Sequence, residues 1–389
     1  METTYYFDYN ATTPIDPRVV KEMEPFFNNN FHNPSSFYRK AGEANYAIEI
    51  ARKQTAELIN ASPEEIFFTS GGTESDNLAI QGIALRYLKK GNHIITSAIE
   101  HPAVLRTCEF LAKKGFEITY LPVDNLGKVD PEELKKSIKD KTILVTIMQA
   151  NNEIGTIQPI GELAKVAHDK GIYFHTDAVQ STGKIPVDVK ELGVDLLSFS
   201  SHKIYGPKGM GALFKRKGIK IEPQIFGGGH EAGIRAGTEN VPGIVGLGKA
   251  AELALAEMEQ EEKKLRPLRD KIKKGILETI PEVIINGDSE KGLYNTLNVS
   301  MKYIEGEAIL GMLDAQGFAL SSGSACSSKS LDPSHVLLAI GLKHEDAHGS
   351  LRISLGKFNS KEDADALIRV LPPIIERLRN ISPFWTNKK

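Results

Sequence analysis

Apolar residues along this chain fall into short runs separated by longer amphipathic stretches. Residues 65–69, 93–97, 116–121, 142–148, 172–175, 195–199 and 211–214 read as strands, apolar almost throughout. Residues 44–58, 103–114, 131–138 and 160–170 carry the 3.6-residue spacing of helices, and another helix follows the polar turn at 70–74 and runs to Leu88. Near-continuous apolar strands alternating with helices of this length predict a mostly parallel sheet covered on both faces. Ahead of this region, residues 5–8 predict a short strand and 17–27 open a helix. Residues 28–36, polar and rich in Asn, predict an ordered loop.

The texture changes at Gly227. GGGHEAGIRAGTENVPG holds six glycines in seventeen residues, which excludes an ordinary helix or strand and predicts a lid or a backbone packed closely on a ligand or partner. Residues 244–277 predict one long helix, or two broken near Pro267, with Glu and Lys spaced for i,i+4 pairs. Alternation then resumes, with strands at 296–301 and 350–354 and helices at 306–315, 334–340 and 360–378. A second, smaller α/β domain is expected there.

Composition narrows the function classes. A chain of 389 residues supports a large core and more than one domain. Forty-eight Lys+Arg against 50 Asp+Glu give no overall electrostatic reason to expect direct nucleic-acid binding. Two cysteines exclude a disulfide-rich scaffold and suit a reducing compartment. METTYYFDYN has neither a basic start nor an apolar core, and no apolar run approaches 18 residues. A cytoplasmic protein with no membrane partner is expected.

The chemistry begins at Lys203. Its stretch, LLSFSSHKIYGPKGMGALF, sets a lysine at the end of an apolar run, where an ammonium is costly unless the amine has a task. About 25 residues upstream, YFHTDAVQSTGK ends another strand in Asp177, beside His175 and Gln180. Strand ends of this kind can face one cleft of an α/β sheet. The SGGTE turn before a helix is a candidate phosphate nest at Gly72 and Thr73. No histidine or cysteine cluster has metal-ligand spacing, and no GxGxxG follows the first strand, so neither a metal centre nor a dinucleotide fold is expected. Pyridoxal phosphate asks for this inventory. Its aldehyde needs a lysine, its pyridine nitrogen a carboxylate, and its phosphate a helix start, while an amino-acid substrate needs an arginine such as Arg352. His101 would stack on the ring. Each residue also has a plainer reading. His101 and Asp177 could cap the helices they precede, and Arg352 could be an ion-pair residue.

With these motifs in place, the chain resembles the cysteine desulfurases of the class V aminotransferase group, within the fold-type I pyridoxal-phosphate enzymes. The matching stretches run from YFDYNATTP to ISPFW and include FFTSGGTESDNLAI, EHPAVL, NNEIGT, DAVQSTGK, SFSSHKIYGPKGMGAL, GGGHEAGIRAGTENV, SSGSACSS and LRISLG. The SSGSACSS stretch matches the longer-loop branch. The resemblance implies a large domain over 15–258 built on a mostly parallel seven-stranded sheet. The smaller α/β domain would comprise 1–14 and 259–389 and carry a catalytic loop at about 321–332.

The same resemblance implies the site. Lys203 would hold the cofactor, Asp177 its ring nitrogen, and His101 would stack and transfer protons. Asn152 and Gln180 would address its 3′ oxygen, Asn152 also the substrate. Gly72, Thr73, Ser200 and His202 would hold its phosphate, and Thr238 would reach the phosphate of the other subunit of a homodimer. Arg352 would bind the carboxylate of L-cysteine, and Cys326 would be the sulfur acceptor. Cys326 stands among serines with no apolar face to join, unlike Cys108 in the apolar AVLRTCEFLA. The implied reaction removes the α-proton of cysteine and moves its sulfur to the Cys326 thiolate, leaving alanine and a persulfide. Iron–sulfur scaffold proteins and tRNA-thiolation enzymes are the implied acceptors. A chain ending soon after Trp385 is expected to carry a short or missing scaffold-docking tail. A selenocysteine lyase or desulfinase, a transaminase, and a non-catalytic sulfur-trafficking protein are the alternatives.

Overall fold

The computed structural model describes residues 5–322 and 333–385. Its strands, in chain order, are β1 (Tyr5–Tyr6), β2 (Ile66–Thr69), β3 (His93–Ser97), β4 (Glu117–Leu121), β5 (Thr142–Thr146) and β6 (Tyr173–Asp177). They continue with β7 (Leu196–Ser200), β8 (Gly211–Lys215), β9 (Val283–Asn286), β10 (Thr296–Met301), β11 (Phe318–Ala319) and β12 (Ser350–Ser354). Seven form one sheet in the order β2-β8-β7-β6-β5-β3-β4. Only β8 runs against its neighbours. Ten residues separate Ser200 from Gly211, fewer than a parallel crossover needs, so the chain returns antiparallel. The mostly parallel sheet expected from the alternation is the one observed, with the seven strands that the resemblance implies.

Both faces of this sheet are covered, as its uninterrupted burial requires. Ile95, Val145, Phe174, Leu197 and Phe199 pack into one apolar cluster with the helices Arg39–Glu57 and Val241–Thr279. Ile94, Leu144, Leu196 and Leu213 pack into another with the helices Gly72–Tyr87 and Pro102–Ala112. The edge strand β4 is the exception, with Glu117 and Tyr120 exposed.

A second core gathers Phe7, Leu265, Ile272, Leu297, Val299, Leu351, Ile353 and Leu371 around the antiparallel sheet β12-β10-β9. The helix Lys361–Ile381 buries Ala364, Leu367, Leu371, Ile374, Ile375 and Leu378 on one stripe, and its start is closed by a Ser360–Asp363 capping box. Residues 244–277 prove to lie within one helix, Val241–Thr279, with Pro267 inside it. Leu265 and Arg269, buried on either side of the proline, hold the segment on course. The strands β9 and β11 carry no expectation from the pattern. They have four and two residues.

Candidate active site

The strands β2, β3, β5, β6 and β7 release the chain at the same sheet edge, their carboxyl ends, where open α/β sheets bind ligands. A cavity of about 340 Å³ opens there, lined by Gly72, Thr73, His101, Asn152, Asp177, Gln180, Ser200, His202, Lys203 and Arg352. Ten of the twelve residues singled out in the sequence therefore converge. Of the other two, Thr238 is exposed and does not line its own chain's cavity, and Cys326 lies outside the described residues.

One end of the cavity is built from β2 and the helix after it. Gly71 has φ +152° and ψ −179°, a conformation open essentially to glycine alone. It begins the helix Gly72–Tyr87 without a side-chain cap, leaving the first N–H groups for another acceptor. A Cβ on Gly72 would meet Val179 Cγ2 at 2.6 Å. The turn is braced from outside the cavity. Glu74 accepts from Ser70 N and receives the Arg235 guanidinium, and Thr69 Oγ1 lies 2.7 Å from Ser75 Oγ. His202 bonds through Nδ1 with Thr12 Oγ1, and burial with the charges of Lys203, Lys208 and Lys184 pushes it down to about 4.

Asp177 ends β6 in the same cavity, with Val179 N donating to its Oδ1 at 2.9 Å. No helix directly follows Asp177, so the helix cap expected from sequence is replaced by a turn closed on Val179 N, and the carboxylate lines the cavity. Asp76, four residues into the helix, sits beside it fully buried, with Oδ1 lacking a hydrogen-bond partner among the described residues. Burial raises the pKa of both, that of Asp177 to about 6, and the charge of Asp177 raises Asp76 further. His175 is bonded to Thr146 and Ser198, and burial lowers it to about 3, so a neutral imidazole faces Asp76 at 3.7 Å.

Lys203 lines the cavity from the short 3-10 turn Ser201–Lys203 after β7. Its Nζ donates to the main-chain oxygens of Asn10, at 2.5 Å, and Ala11, at 2.8 Å. Opposite, His101 accepts from Ala103 N through Nδ1 at 3.1 Å, which leaves the ring proton on Nε2. Burial, then Lys203 and His335, push its pKa down to about 4. Arg352 reaches in from β12, buried, donating to Asn152 O at 3.2 Å and Asp8 Oδ1 at 2.8 Å. Its Nε has no partner among the described residues.

Three contributors escaped the sequence reading. Asn10 donates through Nδ2 to Asn152 O and Thr296 Oγ1, and its carbonyl receives Lys203 and Gln180. Asp8 holds Arg352, and Asp76 faces Asp177. A lone Asn or Asp in a turn carries no signal of its own, although the spacing of Asp76 from Gly72 on one helix put it within reach. Cys108 is buried, its thiol pushed up to about 12, as expected of a small core residue.

The fold and this cavity define a class-V aminotransferase, and the family model of that description, Aminotransferase class-V, matches residues 5–367. The cysteine desulfurase IscS of Methanosarcina thermophila is 56% identical over 378 residues, covering 97% of this chain and 93% of that one. A solved NifS-like protein superposes with a TM-score of 0.91 at 42% identity, covering 97% of this chain and all of that one. SspA in complex with cysteine superposes at 0.82 with 40% identity, covering 92% and 100%. The chain belongs to the cysteine desulfurase family of the class-V aminotransferases.

Members of this family work with pyridoxal phosphate, and the cavity fits it. An uncapped helix start whose first residue has no Cβ suits a phosphate. A buried carboxyl lining the same cavity suits a ring nitrogen, and a lysine amine lines it too.

Proposed function

We propose that this enzyme draws sulfur from L-cysteine at this cavity, releases L-alanine, and carries the sulfur as a persulfide on Cys326. The observation that carries the reading is the convergence of Lys203, Asp177, the Gly72 helix start and Arg352 on one cavity. Bound there, pyridoxal phosphate supplies an electron sink for the electrons freed at the substrate's α-carbon. Lys203 holds the aldehyde and Asp177 keeps the ring nitrogen protonated. Gly72, Thr73, Ser200 and His202 hold the phosphate. Gln180 and Asn152 face the phenolic 3′ oxygen. Arg352, with Asp8 and the Asn152 carbonyl fixing two of its arms, offers its guanidinium to the substrate carboxylate. Neutral His101 covers the ring and exchanges a proton at Nε2. The Cys326 thiolate then attacks the substrate sulfur. A sulfur–sulfur bond forms, the carbon–sulfur bond breaks, and the carbon left behind takes a proton to become alanine.

A homodimer with Thr238 completing the partner's phosphate site belongs to the same reading. Exposed Phe31, Phe37, Tyr38, Tyr46 and Phe226 supply the apolar surface such an interface buries. So does a division into units of 15–258 and of 1–14 with 259–389, supported by the separation of the two main cores. Iron–sulfur scaffold proteins and tRNA-thiolation enzymes are the proposed acceptors, and a reducing, cytoplasmic setting suits the thiol chemistry. The test is the visible spectrum of the purified protein before and after L-cysteine, with sulfide and alanine assayed. Wild type should absorb in the visible and change with cysteine, and Cys326→Ala should keep the spectrum and lose sulfide release. Full cysteine turnover in Cys326→Ala would rule out the persulfide route.

A further inference from the structure

Behind Gln180, away from the cavity, stands a lysine without a place in the chemistry above. Lys184 is buried, and its amine donates to Gln180 Oε1 at 2.7 Å and to Asn10 Oδ1 at 3.3 Å. The other end of the Gln180 amide is also engaged, Nε2 donating to Asn10 O at 2.9 Å. A carbonyl only accepts, so the amide nitrogen must face Asn10 and the oxygen must face Lys184. That orientation survives titration of Lys184, since ammonium and amine both carry N–H donors. The Asn10 carbonyl that receives Gln180 also receives Lys203. Lys184 itself lines no part of the cofactor cavity. It borders a separate cavity of about 20 Å³, room for one water, shared with Lys203, Tyr205, Glu261 and Lys357.

The charged and titratable groups facing Lys184 come from several elements: Lys203 and His202 after β7, Glu261 on the helix Val241–Thr279, and Arg352 on β12. Burial pushes the amine down to about 7, with Lys203 and Arg352 lowering it further and Glu261 opposing them.

We propose that Lys184 is a positioning residue, holding the Gln180 amide so that an Nε2 N–H faces the cofactor's phenolic oxygen and tunes the ionisation of the Lys203–cofactor bond. This rests on the reading of Gln180 as a neighbour of that oxygen. An N–H aimed at the oxygen favours its anionic form, most strongly once the neighbouring nitrogen has lost its proton. The oriented amide therefore lowers the pH at which that nitrogen titrates, and a misoriented amide raises it.

The experiment is a pH titration of the visible absorbance of the holoenzyme, together with the affinity of the cofactor-free protein for pyridoxal phosphate. It compares wild type, Lys184→Met, Lys184→Gln, Gln180→Ala and the Lys184→Met/Gln180→Ala double variant. Lys184→Met should raise the spectral midpoint by about one pH unit, the loss of one charge-assisted hydrogen bond. It should also weaken cofactor binding. Lys184→Gln restores a donor and should return the midpoint toward wild type. With Gln180 already removed, Lys184→Met should add nothing. If Lys184→Met does not fold, Lys184→Ser, which admits water from the adjoining cavity, takes its place with the same expected shift. An equal shift with and without Gln180 would mean that Lys184 acts by charge through space, and no shift that it is only structural; either overturns the proposal. Gln180→Ala with an unmoved midpoint would refute the site reading instead.

Discussion

Arg352 is held by one arm on Asp8 and another on a main-chain carbonyl, so its guanidinium is fixed at the cavity wall before any substrate arrives. Arg352→Gln should lower kcat/KM for cysteine by about a hundredfold while the cofactor spectrum stays, because a charge-assisted carboxylate contact is lost and the cofactor's holders are untouched. Asp8→Asn should cost about tenfold, expressed mainly in KM. Steady-state kinetics with parallel spectra check both. Residues of this kind differ in how far sequence reveals them. Lys203 and Asp177 were visible because a charge at the end of an apolar strand needs a reason. Asn10 and Asp8 were not, since short polar residues in a turn are commonplace and their partners lie more than a hundred residues away.

At the scale of elements, the start of the helix Gly72–Tyr87 is set by the absence of side chains. Gly72→Ala should weaken pyridoxal-phosphate binding by about tenfold and lower stability by about 1–3 kcal/mol, since its Cβ would press on Val179. Equilibrium binding and thermal melts measure the two. The glycine-rich stretch is anchored to the same region. Glu231, at φ +47°, is held by both arms of Arg52 and by Phe68 N, with Arg52 stacked on the Phe68 ring. Arg52→Met leaves that carboxylate buried and lacking its cation, so stability should fall by about 3 kcal/mol in urea unfolding. Sequence marked this stretch as special by its glycines but could not show that two non-glycine residues, Glu231 and Ala232, take the left-handed turn. The ion pair with Arg52, 179 residues away, holds them there.

Across the whole molecule, one charge network joins distant parts of the chain. Asp16, buried, binds Arg18 and Lys357, and Glu257 on the long helix completes the group. Its cations hold Asp16 well below the usual carboxylate range. A depressed acid contributes stability that is present above its unfolded pKa, about 4, and lost as pH falls below it. Asp16→Asn should therefore be less stable than wild type at pH 7, with the two melting curves converging below pH 4. His175 acts in the same direction over a higher range. Burial keeps it neutral down to about pH 3, so its contribution begins to fade as pH falls below about 6.5. The raised carboxyls Glu100, at about 8, and Glu153, at about 7, oppose both, stabilising the fold most below about pH 4.5 and less as pH rises. Melting temperature against pH resolves these contributions.

What the sequence by itself determined was the alternation that makes a covered parallel sheet, and the motifs at or just beyond its strand ends, with Gly72, Asp177, Ser200 and Lys203. Both are local, because burial pattern and turn chemistry are written in neighbouring residues. Only the tertiary structure decided that the N-terminal segment crosses to the sheet edge, placing Asp8 beside Arg352 and Asn10 beneath Lys203. The same holds for Lys184, whose amine takes its meaning from an amide four residues back and a carbonyl 174 positions before it. Such contacts depend on where the whole chain closes upon itself, and no periodicity records them.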